Sequence, residues 1–157
     1  MLSIGNLCAQ HIEFMGIQLG QPRDVVNHLL VRKGYTYIGG SDTFDLFNGR
    51  FWELRNVSLN AYHDFGKVTY IKITPIDDCT WSKYNKLLAS LKKKYGKPVR
   101  SSGGYVKSTL WKVKDGHIEV IAIGTDDNLI TFSISYIDRT SISKAIGNKS
   151  KTIDDDL

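Results

Sequence analysis

The stretch that decides the fold covers residues 78–137 and begins with DCTWSKYNKLLASLKKKYGKP at positions 78–98. Apolar residues recur there every three or four positions, which places them on one face of a helix: Trp81, Tyr84, Leu88, Leu91 and Tyr95. Asp78 or Thr80 can cap the start of this helix, whereas Gly96 and Pro98 can end it. The pattern therefore predicts an amphipathic helix that packs on something apolar.

Three predicted strands follow, at residues 108–114, 117–123 and 129–137. The dipeptide Asp115-Gly116 favours a two-residue hairpin turn, because both of its positions tolerate positive φ. The pairs expected from that turn are Val113 with Ile118 and Trp111 with Val120. The last strand alternates apolar and hydroxyl-bearing residues, which is typical of a strand buried on one side.

A looser version of the same plan precedes this stretch. Residues 11–19 are predicted as a leading strand, and Pro22 as the first residue of a helix that ends at Gly34. The buried stripe of that helix is predicted to contain Val25, Val26, Leu29 and Leu30. Strands are expected at 35–38, 44–54 (two short strands or one bulged strand) and 68–74. A turn at Arg55-Asn56 would pair Leu54 with Val57 and Trp52 with Leu59.

These patterns predict an α+β fold of two related units, each a helix followed by an antiparallel β-meander, with the helices packed on one face of the sheet. The expected domain covers residues 10–138, with units at 10–76 and 77–138, and residues 139–157 are expected to form a flexible tail. No apolar run in the sequence approaches the ~20 residues of a membrane helix.

The start of the chain favours export. Leu7-Cys8-Ala9-Gln10 is similar to the end of a signal peptide cleaved after Ala9, so residues 1–9 are interpreted as a truncated signal-peptide remnant. This interpretation predicts a periplasmic or secreted protein. The alternative is that residues 1–9 are a true N-terminus, and the protein is then cytoplasmic. Cys79 is expected to be an inert structural thiol, or to bridge Cys8 if residues 1–9 remain.

The formal charge of +5 is unevenly distributed. Residues 79–114 contain ten basic side chains and no acid, so the remainder carries about −5 (5 − 10). Such a segment favours an anionic polymer as partner, namely acidic glycan, lipopolysaccharide or nucleic acid. The candidate residues for that contact are Lys86, Lys93, Lys94, Lys97 and Arg100. The plainer interpretation is a solvated, basic helix face.

Each candidate for catalysis or metal binding has a simpler structural explanation. His63-Asp64 stands beside a Phe65-Gly66 turn, and Asp77-Asp78 stands where a helix is capped. The run 126–128 lacks the glycine and glutamate of a calcium loop, and the glycine-rich run 101–104 leads from helix to strand, the reverse of a phosphate-binding loop. We therefore predict no catalytic residue, no metal site and no cofactor, and expect a non-enzymatic protein.

The aromatic residues divide between two predicted faces. Trp52, Trp81 and Trp111 are expected in the core. The outward face is expected to carry a set of polar and tyrosine side chains that forms the candidate partner-binding site: Tyr62, Tyr70, Lys72, Lys112 and Glu119. Tyrosine-bearing polar surfaces suit protein recognition. The leading prediction is therefore a recognition module for a protein partner, as an inhibitor or envelope factor; the alternative remains the anionic polymer.

Two resemblances accompany these patterns. Residues 14–19 (FMGIQL), Lys33-Gly34-Tyr35, the run from Trp81 to Pro98 and the Asp-Asp-Leu ending resemble small exported proteins of gut bacteria with no assigned function. The tandem helix-and-meander plan is similar to that of β-lactamase-inhibitor proteins. That second resemblance implies a binding protein that uses an exposed sheet face.

Overall fold

The computed structural model describes residues 12–113, 115–124 and 128–139, and these residues form an α+β fold. The two helices in this part of the chain are α1 (Arg23–Arg32) and α2 (Trp81–Tyr95). The strands are β1 (Glu13–Phe14), β2 (Ile17–Gln18), β3 (Thr36–Gly40), β4 (Phe44–Phe51), β5 (Leu54–Asp64), β6 (Lys67–Pro75), β7 (Cys79–Thr80), β8 (Arg100–Ser102), β9 (Val106–Val113), β10 (Gly116–Gly124) and β11 (Leu129–Asp138). The predicted signal segment and the predicted tail beyond residue 139 lie outside the described residues.

The main sheet is nine-stranded and antiparallel, with the order β3-β4-β5-β6-β11-β10-β9-β8 and with β7 paired to β11. Strands β1 and β2 form a separate hairpin. The strands on each side of the sheet are joined by short connections, and β6 meets β11 at the centre. The antiparallel sheet predicted from the alternating pattern is confirmed.

Helix α2 matches its sequence prediction closely. The Thr80 hydroxyl accepts a hydrogen bond from the Lys83 amide (3.2 Å), and the Gly96 amide donates to the Lys92 carbonyl (2.8 Å). Tyr84, Leu87 and Leu91 are buried, whereas the flanking Trp81, Leu88 and Tyr95 are half-buried. Thr80 rather than Asp78 therefore caps the helix, and its apolar stripe is wider than predicted.

Both helices contact the same face of the sheet, which we call the inner face. The Tyr84 ring lies 6.0 Å from that of Phe132, and the indole N–H of the buried Trp111 donates to the Gly96 carbonyl just after α2 (2.9 Å). From α1, the side-chain amide of Asn27 donates to the Asp45 carboxylate (2.8 Å). The hydrophobic core lies between these helices and the sheet, so the predicted core position of Trp111 is confirmed, whereas Trp81 is half-buried and packs against the edge of the core.

The start of the described chain differs from its prediction. Residues 11–19 do not form one strand: the chain reverses at Met15 and Gly16, whose φ angles are 49° and 79°. Left-handed φ at two successive positions is the geometry of a tight hairpin turn. The reversal allows Phe14 and Ile17 to enter the core together, with both side chains buried.

The first hairpin also differs, and the core prediction for Trp52 is wrong. Phe51 pairs with Leu54, so the chain turns at Trp52 rather than at Arg55-Asn56. A register shift between Gly49 and Phe51 brings Phe51 onto the core, where its ring stacks on that of Phe14 with centroids 5.6 Å apart. Trp52 is left at the turn, 37% exposed and with φ of 53°.

The second hairpin has its predicted face and a different register. Val113 pairs with Gly116, and Trp111 pairs with Ile118, so the pairing is two residues from the expected one. Because strand side chains alternate with a period of two, Trp111 and Ile118 still point to the core. Gly116 is required for packing: a Cβ there would lie 2.1 Å from the Ile137 carbonyl oxygen.

Candidate binding surfaces

The face of the sheet opposite the helices, which we call the open face, carries a row of aligned side chains across five strands. The row contains Tyr62, Tyr70, Ile137, His117 and Lys112, each directly opposite the next. Adjacent strands lie ~4.8 Å apart, so the row extends over about 19 Å. Three of the predicted partner-binding residues therefore lie in this row: Tyr62 and Tyr70 from the first predicted unit, and Lys112 from the second.

A second row lies beside the first. Asn60 pairs with Lys72, Lys72 with Ser135, Ser135 with Glu119, and Glu119 with Leu110. Residues two apart on a strand point to the same face, so Lys72 lies beside Tyr70, and Glu119 lies beside His117. The five predicted partner-binding residues, from both halves of the chain, therefore lie on one face.

The two tyrosines of the open face are held in place by their neighbours. Their rings stack with centroids 4.8 Å apart and an interplanar angle of 15°, and the Phe44 ring lies 5.6 Å from that of Tyr62. The Tyr70 hydroxyl and the Ser135 hydroxyl are hydrogen-bonded at 3.0 Å, across the central β6–β11 boundary. This aromatic cluster is half-buried and connects the two sides of the sheet.

The charged groups of the open face lie mainly towards β9 and β8. Arg100 Nη2 lies 4.0 Å from Glu119 Oε2, and Lys112 is exposed at the end of the tyrosine row. Partial burial and the positive charges of Arg139, Lys112 and Arg100 lower the pKa of His117, although Glu119 opposes them. The lowered pKa favours the neutral form of His117 at pH 7, and most charges of the face lie at the end opposite the tyrosines.

The residues predicted to hold an anionic polymer do not form one surface. Lys93, Lys94 and Lys97 are exposed at the C-terminal end of α2. Lys86 instead approaches Glu53, at 3.3 Å from either carboxylate oxygen. Arg100 points to the open face, opposite the helices. The continuous basic run of the sequence is thus divided into three separate places.

Among the described residues, the pair considered for catalysis, His63 and Asp64, does not face one common site. Successive strand residues point to opposite faces, so His63 and Asp64, at the end of β5, diverge; His63 is half-buried and Asp64 exposed. The Nε2 atom of His63 is buried and has no hydrogen-bond partner among the described residues. Asp77 and Asp78 are exposed before α2, and positions 126 and 127 lie outside the described residues.

An ion pair between the partly exposed Arg23 of α1 and a buried acid of β4 is not among the sequence predictions. Asp45 on β4 is fully buried, and Arg23 donates to both of its oxygens (2.6 and 2.7 Å) while Asn27 donates to one. Burial raises the pKa of Asp45, but the hydrogen bonds from Arg23 and Asn27 outweigh burial and hold the pKa below its usual value. One sequence feature could have indicated this ion pair. Asp45 lies two residues before the core residue Phe47, and residues two apart on a strand point to the same face.

Cys79 has the character expected of a structural thiol. It is buried, it is not in a disulfide, and its sulfur lies 3.6 Å from the Asp77 carbonyl. Burial raises the pKa of the Cys79 thiol, which reduces the thiolate fraction at neutral pH. Within the part of the chain that the structure describes, no group of three metal-binding side chains converges.

No protein-family model, curated protein or solved structure matches the chain. The class of protein is therefore defined by the coordinates alone: an α+β fold with two helices on one face of an antiparallel sheet. Neither described helix is long and apolar enough to cross a membrane.

Proposed function

We propose that this chain is a non-catalytic recognition module that binds a protein partner through its open face. The observation that supports this proposal is the strand register, which gives Tyr62, Tyr70, Lys72, Lys112 and Glu119 a common face away from the helices. These residues come from two distant parts of the sequence, so they share a surface only in the folded protein.

The composition of the open face favours a protein partner. Tyrosine offers a large contact area with few rotatable bonds, so binding it costs little conformational entropy. The stacking of Tyr62 on Tyr70 and the hydroxyl contact with Ser135 restrict those rings further before any partner arrives. Lys72 supplies a charge beside this cluster, and Lys112 and Glu119 supply charges further along the open face, where they would select for a complementary partner and speed its association.

The proposal includes two related units and export from the cytoplasm. In support of the units, α1 is followed by the four antiparallel strands β3 to β6, and α2 by the four strands β8 to β11. A duplication of one unit would produce this order, with the last strand of each copy meeting at the centre. Export to the periplasm or beyond rests on the sequence around Ala9 alone.

Affinity capture with matched variants tests the function. The full chain, Tyr70→Ala, Lys112→Glu and the control Lys93→Glu are immobilised and exposed to an extract of the source organism. Lys93 is exposed on α2, so its replacement changes the net charge as Lys112→Glu does but leaves the open face intact. We expect one protein to be retained by the wild type and the control and lost with both open-face variants.

The salt dependence of capture distinguishes the two partner classes. Binding of an anionic polymer weakens steeply between low and moderate salt, because the lysines displace condensed counterions. Binding through the tyrosine cluster should weaken much less. Retention of nucleic acid or acidic glycan, lost with Lys93→Glu and in moderate salt, would contradict the proposed protein-binding function.

A further inference from the structure

A basic cleft lies between the β4–β5 turn and the first two turns of α2, away from the residues of the open face described above. Its volume is about 510 Å³, within the range of ~300–1,000 Å³ typical of small-molecule sites. Four cationic side chains, one acid and an indole line it: Arg50, Arg55, Lys83, Lys86, Glu53 and Trp52. The formal charge of this lining is +3 (4 − 1).

The single acid leaves the positive charge of the cleft largely unbalanced. Glu53 is shared by two ammonium groups, at 3.3 Å from Lys86 Nζ and 3.9 Å from Lys83 Nζ. Among the described residues, no acid forms an ion pair with Arg50 or Arg55. Two exposed guanidinium groups, which can each bind an oxyanion with two parallel hydrogen bonds, therefore line the cleft with no acidic partner in the described part of the chain.

Two residues of this cleft meet there from different elements. Lys83 lies in the first turn of α2, where the helix dipole disfavours positive charge, and that turn contains no acid. Trp52 lies at the hairpin turn between β4 and β5, where its φ of 53° is the left-handed geometry of a tight turn, and this turn leaves its ring partly exposed. The two side chains approach each other in the cleft, with Lys83 Nζ 5.8 Å from the Trp52 ring centroid.

We propose that this cleft binds a phosphate-bearing small molecule with a planar ring. A carboxylate, with one negative charge, would leave most of the +3 lining uncompensated, whereas a diphosphate group carries a charge of matching size. Arg50, Arg55 and Lys86 would hold the phosphate oxygens, and the exposed part of Trp52 would stack on the ring. A neighbouring cleft of about 340 Å³ shares Arg55, Lys83 and Glu53 with this one and is also lined by Asp77 and Asp78. Those two acids lie on the side of Arg55, so they direct the anionic end of the ligand towards Arg50 and Lys86.

Titration with three probes tests this site: inorganic pyrophosphate, an uncharged nucleoside and a nucleoside diphosphate, each followed by calorimetry and by tryptophan fluorescence. We expect the nucleoside diphosphate to bind most tightly, pyrophosphate to bind more weakly, and the nucleoside to show no binding. Stacking of a base on one aromatic ring contributes ~1–3 kcal/mol, so Trp52→Asn should weaken binding of the nucleoside diphosphate by about tenfold or more. The same variant should leave pyrophosphate affinity unchanged.

Charge variants distinguish binding in this cleft from nonspecific attraction of anions to a basic protein. Arg50→Ala/Arg55→Ala should abolish binding of both anions, whereas Lys93→Glu, on the same helix as Lys86 but outside the cleft, should retain it. Circular dichroism and thermal unfolding of each variant establish that it is folded. No binding of either anion, or equal losses with Lys93→Glu and with the double arginine variant, would overturn the proposal. The protein-binding function of the open face would be unaffected by either result.

Discussion

Tyr62 on β5 and Tyr70 on β6 stack face to face, with ring centroids 4.8 Å apart and an interplanar angle of 15°. The two residues are directly opposite in the antiparallel register, so the sheet itself sets their spacing. Because Tyr70 also contacts Ser135 on β11, this pair is anchored to the strand that joins the two sides of the sheet. A partner would thus meet a preformed aromatic surface.

The hydroxyl contact of Tyr70 has a measurable share in stability. Tyr70→Phe removes the hydrogen bond to Ser135 and keeps the ring, so we expect a loss of about 1 kcal/mol in the free energy of unfolding. Urea unfolding of Tyr70→Phe, Ser135→Ala and the double variant measures it as a double-mutant cycle. Full additivity of the two single losses would contradict the contact.

The buried Asp45 predicts a pH dependence. Because its pKa is lower in the folded than in the unfolded chain, the carboxylate contributes stability above its unfolded pKa, and that contribution is lost as pH falls through the folded pKa. Asp45→Asn weakens charge-assisted hydrogen bonds from Arg23 and Asn27, which should lower stability at neutral pH by about 2 kcal/mol. The measurement is urea unfolding of both proteins from neutral to acid pH.

The two curves should converge in acid. As control, Asp64→Asn, an exposed acid on β5, should follow the wild-type curve. If Asp45→Asn lost stability equally with the wild type as pH fell, the acid dependence would have another source.

Trp52 and Trp111 should differ in both fluorescence and stability. Acrylamide should quench the partly exposed Trp52 most and the buried Trp111 least, with the half-buried Trp81 between them, so Trp52→Phe should reduce the quenchable fraction and shift the remaining emission to the blue. Trp111→Phe leaves the Gly96 carbonyl without its donor and opens a gap in the core, which should cost about 2 kcal/mol. A Trp52→Phe protein as quenchable as wild type would contradict the surface position.

Cys79 should be unreactive until the chain unfolds. In a Cys8→Ser variant, the remaining thiol is buried and its pKa is raised, so a thiol reagent such as Ellman's should label the native protein slowly. Labelling should become rapid and complete in denaturant. Rapid labelling of the native variant at neutral pH would show that the region around β7 opens readily.

Much of this fold follows from residue spacing. The helix from Trp81 to Tyr95 has a strong apolar stripe, a capping threonine and a terminal glycine, and tertiary structure changes none of these local preferences. The grouping of Tyr62, Tyr70 and Lys72 on one face follows from the period of two along β5 and β6. The β9–β10 register differs from the predicted one by two residues, and such a shift preserves the face, so Lys112 and Glu119 still lie on the open face.

Other features depend on contacts between distant residues. A register shift between Gly49 and Phe51 places Phe51 in the core, where Trp52 was predicted, and leaves Trp52 at the turn. The dipeptide Arg55-Asn56 predicts a different turn and carries no sign of this shift. The pairing of Asp45 with Arg23 requires β4 to lie against α1, which no local pattern specifies. The cleft at Trp52 was unforeseen for the same reason, because its basic residues come from β4, β5 and α2.

The most direct test of the central claim is site-specific photo-crosslinking in living cells. A photoreactive phenylalanine analogue replaces Tyr62 on the open face in one variant, and the exposed Ser90 on α2 in the control. We predict a discrete protein adduct from position 62 that is lost when Lys112→Glu is added, and none from position 90. No adduct at position 62, or the same adducts from both positions, would contradict recognition through the open face.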